Sequence, residues 1–472
     1  MSPLTFGGLE IMQENHSATQ TGTPNKLADF PIRTLILSMG MPMVLSMVLQ
    51  AVYNIVDTVF VSHMKNGATA VLALTDSYSI QLLIVAGGIG INALLSKTLG
   101  ERNSEKAAWI AGNGIFLAIC IYAVFLLFGI FGTKPFIAMQ ANGNALRQEM
   151  GEQYLRICCM GSFGSIGYTV YERFLQGTGR TNLSTIAQIT GAALNILLDP
   201  LFIFGFGWGI KGAAWATVIG QVASGVLVIV YFCKFRKMYL SGGMLKPKLS
   251  YLKAIISLGL ASCINQIAMA IVQIVLNNIL RYYGANSVYG SDIPIACVGV
   301  ISKVNMVFMA ICIGISQGSQ PIWGFNYGAK KYDRVRQAYR YSVTACTVIA
   351  TIFFFCFQIF PHQIVGIFGT GSELYFQFAE RYLKIFMFMT FANGIQPVSS
   401  GFFTSIGMAK LGIVMSLTRQ VIFLLPLIII FPLFMGIDGV MYAGPIADAA
   451  AFVLAIVFAR RELGKMRSAE IV

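Results

Sequence analysis

The sequence predicts an all-α membrane protein: twelve transmembrane helices in two pseudo-symmetric six-helix lobes around a central cleft. Three observations carry that expectation. First, 56% of the 472 residues are hydrophobic and only 11% are charged, whereas a soluble domain is about a quarter charged. Second, the apolar residues run as blocks of helix-spanning length instead of alternating, which excludes a porin-like barrel. Third, motifs in the first half of the chain recur in the second half in the same order.

Block lengths place helices at about 34–62, 69–96, 107–132, 151–175, 183–206 and 210–233. The second set falls at about 254–281, 293–323, 338–360, 377–406, 411–434 and 439–459. The organisation expected is a cytoplasmic N-terminal tail (1–33), an N-terminal lobe (34–233), a basic connector (234–253), a C-terminal lobe (254–460) and a cytoplasmic tail (461–472). The net charge of +14 would suggest a nucleic-acid partner in a soluble protein. Here most Lys and Arg fall in the connectors after even-numbered helices and in the tails, including Lys97, Arg102, Lys106, Arg180, Lys330, Lys331, Arg334, Arg336, Lys410, Arg460 and Arg461. Basic connectors stay in the cytoplasm, so both termini are expected there, in the plasma membrane, with no nucleic-acid partner. The first 28 residues are polar and small and read as a tail without a cleaved signal.

At a shift of 228 residues, GINALLSKTLG (Gly90–Gly100) lies over GSQPIWGFNYG (Gly318–Gly328), each followed by a basic loop. The same shift places Phe174 and Gly179 over Phe402 and Gly407. One residue of slippage then places GIKGAAWA (209–216) over GIDGVMYA (436–443). An even number of helices separates the copies, so both halves insert with the same orientation, related by an axis along the membrane normal.

Polar residues inside apolar blocks are costly and therefore informative. Gln50, Asn54 and Asp57 share one face of the first helix, and Gln188, Asn195 and Asp199 share one face of the fifth. A face with an acid and two amides must point at a lumen or another helix. Pro200 follows Asp199 and frees a nearby carbonyl. The seventh helix offers only neutral groups on one face, Gln266, Gln273 and Asn277. By the repeat, Asn195 and Asp199 correspond to Phe423 and Leu427, so the ionisable apparatus is confined to the first lobe. Carboxylates withdrawn from water can hold a proton near neutral pH, and a pair of them can exchange H⁺ or Na⁺ for a cationic substrate. Asp76, Glu172, Arg173, Lys303, Arg419 and Asp448 also lie in or beside apolar blocks. Asp76 divides evenly between lining the lobe and simple burial, and Glu172 and Arg173 are expected to pair or snorkel. Lys303, Arg419 and Asp448 receive no role. The 22 Met and 35 Phe suit a greasy, adaptable cavity. No GxxxxGK[ST] phosphate loop, CxxC or Cys/His cluster occurs in the sequence, so no ATP engine, metal centre or other cofactor is expected beyond the coupling ion.

The chain resembles the multidrug and toxic compound extrusion (MATE) family, within the multidrug/oligosaccharidyl-lipid/polysaccharide exporter superfamily. The resemblance covers about residues 34–460 and rests on VYNIVDTVFVS (52–62), GINALLSKTLGERN (90–103), FLQGTGRTN (174–182), NILLDPLFIFG (195–205), GIKGAAWATVIGQ (209–221) and PIWGFNYGAKKYDR (321–334). It implies that Asp57, Asn195, Asp199 and Thr217 form the site for the coupling H⁺ or Na⁺; Thr217 enters through the family pattern alone. Some members carry an acidic cation site on the seventh and tenth helices. Here Gln266, Gln273, Asn393 and Gln396 stand in that region, which favours first-lobe coupling, H⁺ ahead of Na⁺.

The function expected is secondary active antiport of H⁺ (or Na⁺) against organic, cationic or amphipathic compounds, by a monomer in the lipid bilayer. A related flippase or exporter of lipid-linked, peptide-like or secondary-metabolite precursors is the alternative. A major-facilitator porter is disfavoured because SKTLGERNSEKA lacks a GxxxDRxGRR-like signature. An enzyme is not expected, because no convergent His/Asp or Ser/Lys set lies at membrane depth.

Overall fold

The computed structural model describes residues 26–86, 89–141, 143–235, 242–367 and 372–471. Among them are twelve principal helical segments. The first six are α1 (Ile32–Ser62), α2 (Gly67–Ala86 and Ile89–Gly100), α3 (Ser104–Gln140), α4 (Ala145–Met160 and Ser162–Gly177), α5 (Thr181–Gly205) and α6 (Ile210–Phe235). The second six are α7 (Leu249–Ala285), α8 (Asp292–Gly328), α9 (Tyr332–Ile359), α10 (Glu373–Phe386 and Ile395–Ser405), α11 (Ala409–Met435) and α12 (Ile437–Ile471). Among the described residues, nine of these are long and apolar enough to cross a membrane. No strand occurs among them.

Several helices outrun the apolar blocks. The third, expected to end near 132, continues through a π turn at Phe128–Gly132 to Gln140. The fourth begins at Ala145 and not near 151, because the Asn144 side chain caps it by accepting from the Arg147 amide at 3.0 Å. The twelfth runs to Ile471, past the 459 expected. Hydropathy marks where lipid ends, whereas a helix ends where its backbone groups find other partners. Of the expected tail and connector, residues 1–25 and 236–241 lie outside the described residues.

The repeat is written into the backbone. Among the described residues, left-handed non-glycine residues occur at three positions, and two are repeat mates: Arg102 (φ 57°) and Lys330 (φ 58°). Gly179 and Gly407 match at φ 82° and 90°, and Gly209 and Gly436 at 57° and 60°. Each pair turns the chain at the same place in its half. Glycine suits such turns because it has no Cβ to clash.

The halves meet through the same repeat. A Cβ on Gly100 would lie 1.9 Å from the Phe325 carbonyl oxygen, and one on Gly328 would lie 2.0 Å from that of Lys97. These two contacts are exchanged by the 228-residue shift, so the pseudo-twofold axis passes between the ends of α2 and α8. Beside this crossing, Gly314 and Gly318 of α8 press on Met39–Val44 of α1, and Gly90 of α2 presses on Ile255 of α7.

α1 belongs to both lobes. Its first half (Ile32, Leu35, Ile36, Met39) is buried in a core with Trp323, Tyr339 and Phe402 of the second lobe. The preceding strap is tied there too: Arg334 donates to the Phe30 carbonyl at 2.7 Å, and Asn326 donates to that of Leu27 at 3.3 Å. Its second half reaches the first lobe, where Val61 packs with Ala70, Tyr154 and Ile203.

Filling the crossing should force it apart. Gly100→Val is expected to cost the closed contact about 1–3 kcal/mol. Spin labels on the exposed repeat mates Glu105 and Asp333 should then report longer distances than in the unsubstituted protein. An unchanged distance distribution would show that the crossing tolerates the added volume.

Candidate functional site

α1 and α5 lie side by side in the first lobe, and their polar faces meet there. Asp57 is 8% exposed, Asn195 2%, Asp199 0% and Thr217 of α6 5%. The Asp57 and Asp199 carboxyls come within side-chain hydrogen-bonding reach of one another. Asn195 Nδ2 donates to Asp199 Oδ1 and to Thr217 Oγ1, both at 3.5 Å. The Thr217 hydroxyl therefore meets Asn195 and not the aspartate directly. Three buried oxygens have no hydrogen-bond partner: Asp57 Oδ1, Asn195 Oδ1 and Asp199 Oδ2.

The local fold explains the clustering. Asn195 and Asp199 are one helical turn apart, so both look the same way. Gly191 and Gly220 let α5 and α6 touch, since a Cβ on Gly220 would sit 2.7 Å from the Gly191 carbonyl oxygen. This brings Thr217 to Asn195. Directly after Pro200, α5 widens into a π turn, Leu201–Gly205, a feature common beside functional sites.

The six polar residues expected to line a cavity divide into two groups. Gln50 and Gln188 join in the α1–α5 seam, where Gln188 Nε2 donates to Gln50 Oε1 at 3.4 Å and Ser46 donates to Gln188 Oε1. Asn54 is half-buried on the same helix. In the second lobe Gln266 is half-buried, while Gln273 and Asn277 are exposed and joined at 3.0 Å. The structure thus bonds Gln50 to Gln188 and, separately, Gln273 to Asn277 of α7.

Sequence reasoning passed over Gln81, Tyr154 and Cys158. Tyr154 and Cys158 lie within electrostatic reach of Asp57, and Gln81 hydrogen-bonds Tyr154 and donates to Cys158 Sγ at 3.8 Å. Gln81 was legible as an amide inside an apolar block; Tyr154 was not, because it sits in the polar beginning of α4.

The acids Asp76, Glu172 and Asp448, also in or beside apolar blocks, are each matched by an arginine. Asp76 receives two bonds from Arg147, at 2.7 and 2.8 Å. Glu172 accepts from Tyr168 at 3.0 Å and Gln176 at 2.9 Å, with Arg173 at 4.0 Å. Both members of that pair are buried, so they do not snorkel. Arg173 reaches across the lobes to Gln317 of α8 at 3.3 Å. Arg419 and Asp448 form a buried ion pair in the second lobe, and Asn393 donates to Asp448 at 3.2 Å.

The chain matches the MatE family over residues 42–201 and 261–430, one segment in each lobe. It is a MatE family protein. Its relatives include the multidrug export protein MepA of Staphylococcus aureus (strain bovine RF122 / ET3-1), 23% identical over 450 residues, 94% of this chain and 97% of that protein. MepA of Staphylococcus saprophyticus is 24% identical over 451 residues, covering 92% and 96%. The fold also matches a solved outward-facing multidrug resistance MATE family transporter of the MOP superfamily with TM-score 0.87. That match is 21% identical and covers 95% of this chain and all of the other. A MOP superfamily transporter from Pyrococcus furiosus superposes with TM-score 0.85 at 21% identity over the same shares. The MATE assignment makes this chain a multi-pass membrane transporter of twelve helices in two lobes.

The Arg419–Asp448 pair gives a clean stability test. Arg419→Leu strands a buried carboxyl and is expected to destabilise the protein by about 3–5 kcal/mol. Adding Asp448→Asn should return much of that loss in thermal unfolding of the detergent-purified protein. Equal losses in single and double variants would show that the pair contributes through shape and not charge.

Proposed function

We propose that this MATE transporter is a multidrug efflux antiporter that exchanges H⁺, or Na⁺, for organic compounds, cationic or amphipathic, across the plasma membrane. The observation that carries the reading is the Asp57–Asp199 pair, two buried carboxyls within reach of each other with an unpartnered oxygen on each. Two anions so placed repel and are poorly solvated, so a proton or a small cation between them relieves both costs. The donors around it are all oxygens: two carboxyls, the Asn195 amide and the Thr217 hydroxyl. Oxygen sets suit a hard cation, and a carboxyl pair equally suits a proton.

Asp57 rides on α1, whose other half is embedded in the second lobe. Charge neutralisation that draws α1 towards α5 therefore acts on the crossing that holds the lobes together. In this reading the closed crossing faces the cytoplasm with both termini, and the cleft opens outward. Ion uptake from outside releases the substrate, and the lobes then rock to admit another. Moving one charge through 100 mV supplies about 2.3 kcal/mol per turnover.

The test is export of a fluorescent organic cation from proteoliposomes under separately imposed proton and sodium gradients. One ion should drive export. Asp57→Asn and Asp199→Asn should each reduce driven export at least about tenfold, and Thr217→Ala by less, since its hydroxyl meets the pair through Asn195. Undiminished driven export by Asp199→Asn would refute the coupling site. Inactivity of the intact, folded protein under both gradients would favour a flippase.

A further inference from the structure

α8 carries a lysine that nothing in the coupling site uses. One face of this helix meets α1 at Gly314 and Gly318. Followed towards the other end, the side of Gly314 carries Lys303, Gly299 and Ala296, and all three are exposed. A Cβ on Gly299 would meet no atom within 4 Å. Lys303 lies eleven residues from Gly314, about three helical turns, hence on nearly the same side of α8. The two helices therefore part beyond the crossing, and the stripe lines the second-lobe wall of the cleft.

Lys303 stands about 16 Å from the crossing by helical rise. Asp57 stands thirteen residues beyond Val44 on α1, about 20 Å from the same contact. The ammonium and the carboxyl pair are thus at similar depth on opposite walls. Asp57 and Asp199 face into the first lobe, each at most 8% exposed, while Lys303 is exposed. Nor does its own lobe neutralise it: Asp448 is held by Arg419 and Asn393, Asp438 by Arg381, and Glu380 by His362. Among the described residues Lys303 has no ion-pair or hydrogen-bond partner. A lysine at this depth against lipid would cost about 2.5–3.5 kcal/mol, so a hydrated cleft is its physical setting.

We propose that Lys303 anchors the anionic head group of an amphipathic carboxylate, whose apolar body lies along the small and apolar positions of the α8 stripe. An ammonium in a low-dielectric cleft attracts a singly charged anion. Lys303 thereby selects among amphipathic compounds by the charge of their head group. The inference deepens the antiport reading and rests on it for the direction of transport, but binding can be tested without transport.

The probes are 11-(dansylamino)undecanoic acid and a dansyl alkyl-trimethylammonium of equal chain length, titrated by fluorescence into purified full-length protein. Lys303→Gln should weaken carboxylate binding by about tenfold or more and shift the ammonium probe the opposite way. Lys303→Arg should restore carboxylate binding. Unchanged carboxylate affinity, or equal weakening of both probes, would overturn the proposal. Failure of the antiport reading looks different: Asp199→Asn would keep gradient-driven export while the charge-dependent effect of Lys303 on binding persisted.

Discussion

The molecule depends on one close crossing, where α1 and the end of α2 meet α8. Glycines at 100, 314, 318 and 328 bring backbone against backbone there, with no room for a side chain. In lipid there is little hydrophobic force between helices, so such close approach supplies van der Waals contact instead. Because Gly100 and Gly328 exchange roles under the repeat, one axis relates both lobes at this point.

α1 makes that crossing consequential for chemistry. Its first half is a core element of the second lobe and its second half carries Asp57 into the first. Pro42 sits where the helix changes allegiance, and its carbonyl accepts from Thr185 of α5 at 3.0 Å. Proline interrupts the helix's own bonding, so the two halves are less rigidly joined than in an unbroken helix. Asp57 and the interface between the lobes therefore lie on a single element. Glu172, Arg173, Gln176 and Gln317 add a polar link at the same interface.

The lobes are alike in backbone and different in chemistry. Three pairs of left-handed residues recur, and π turns interrupt both α5 and α11. Yet where α5 and α6 touch through Gly191 and Gly220, α11 and α12 are bridged by the Arg419–Asp448 pair. Asp57 and Asp199 of the first lobe each leave a buried oxygen without a hydrogen-bond partner, whereas Asp448 of the second is held by Arg419 and Asn393.

The sequence by itself determined the helices and the repeat, because lipid imposes block hydropathy and a glycine at a tight crossing leaves no room for a Cβ. It also placed Asp57, Asn195 and Asp199 on shared faces, since helical periodicity is local. Only the tertiary structure decided that α1 is divided between lobes and that Asp76 and Asp448 are matched by Arg147 and Arg419. It alone set Tyr154, with Gln81 bonded to it, near Asp57, and left Lys303 without a partner among the described residues. Each of these depends on which distant helix faces which, and a buried charge shows whether it is paired only when that neighbour is in place.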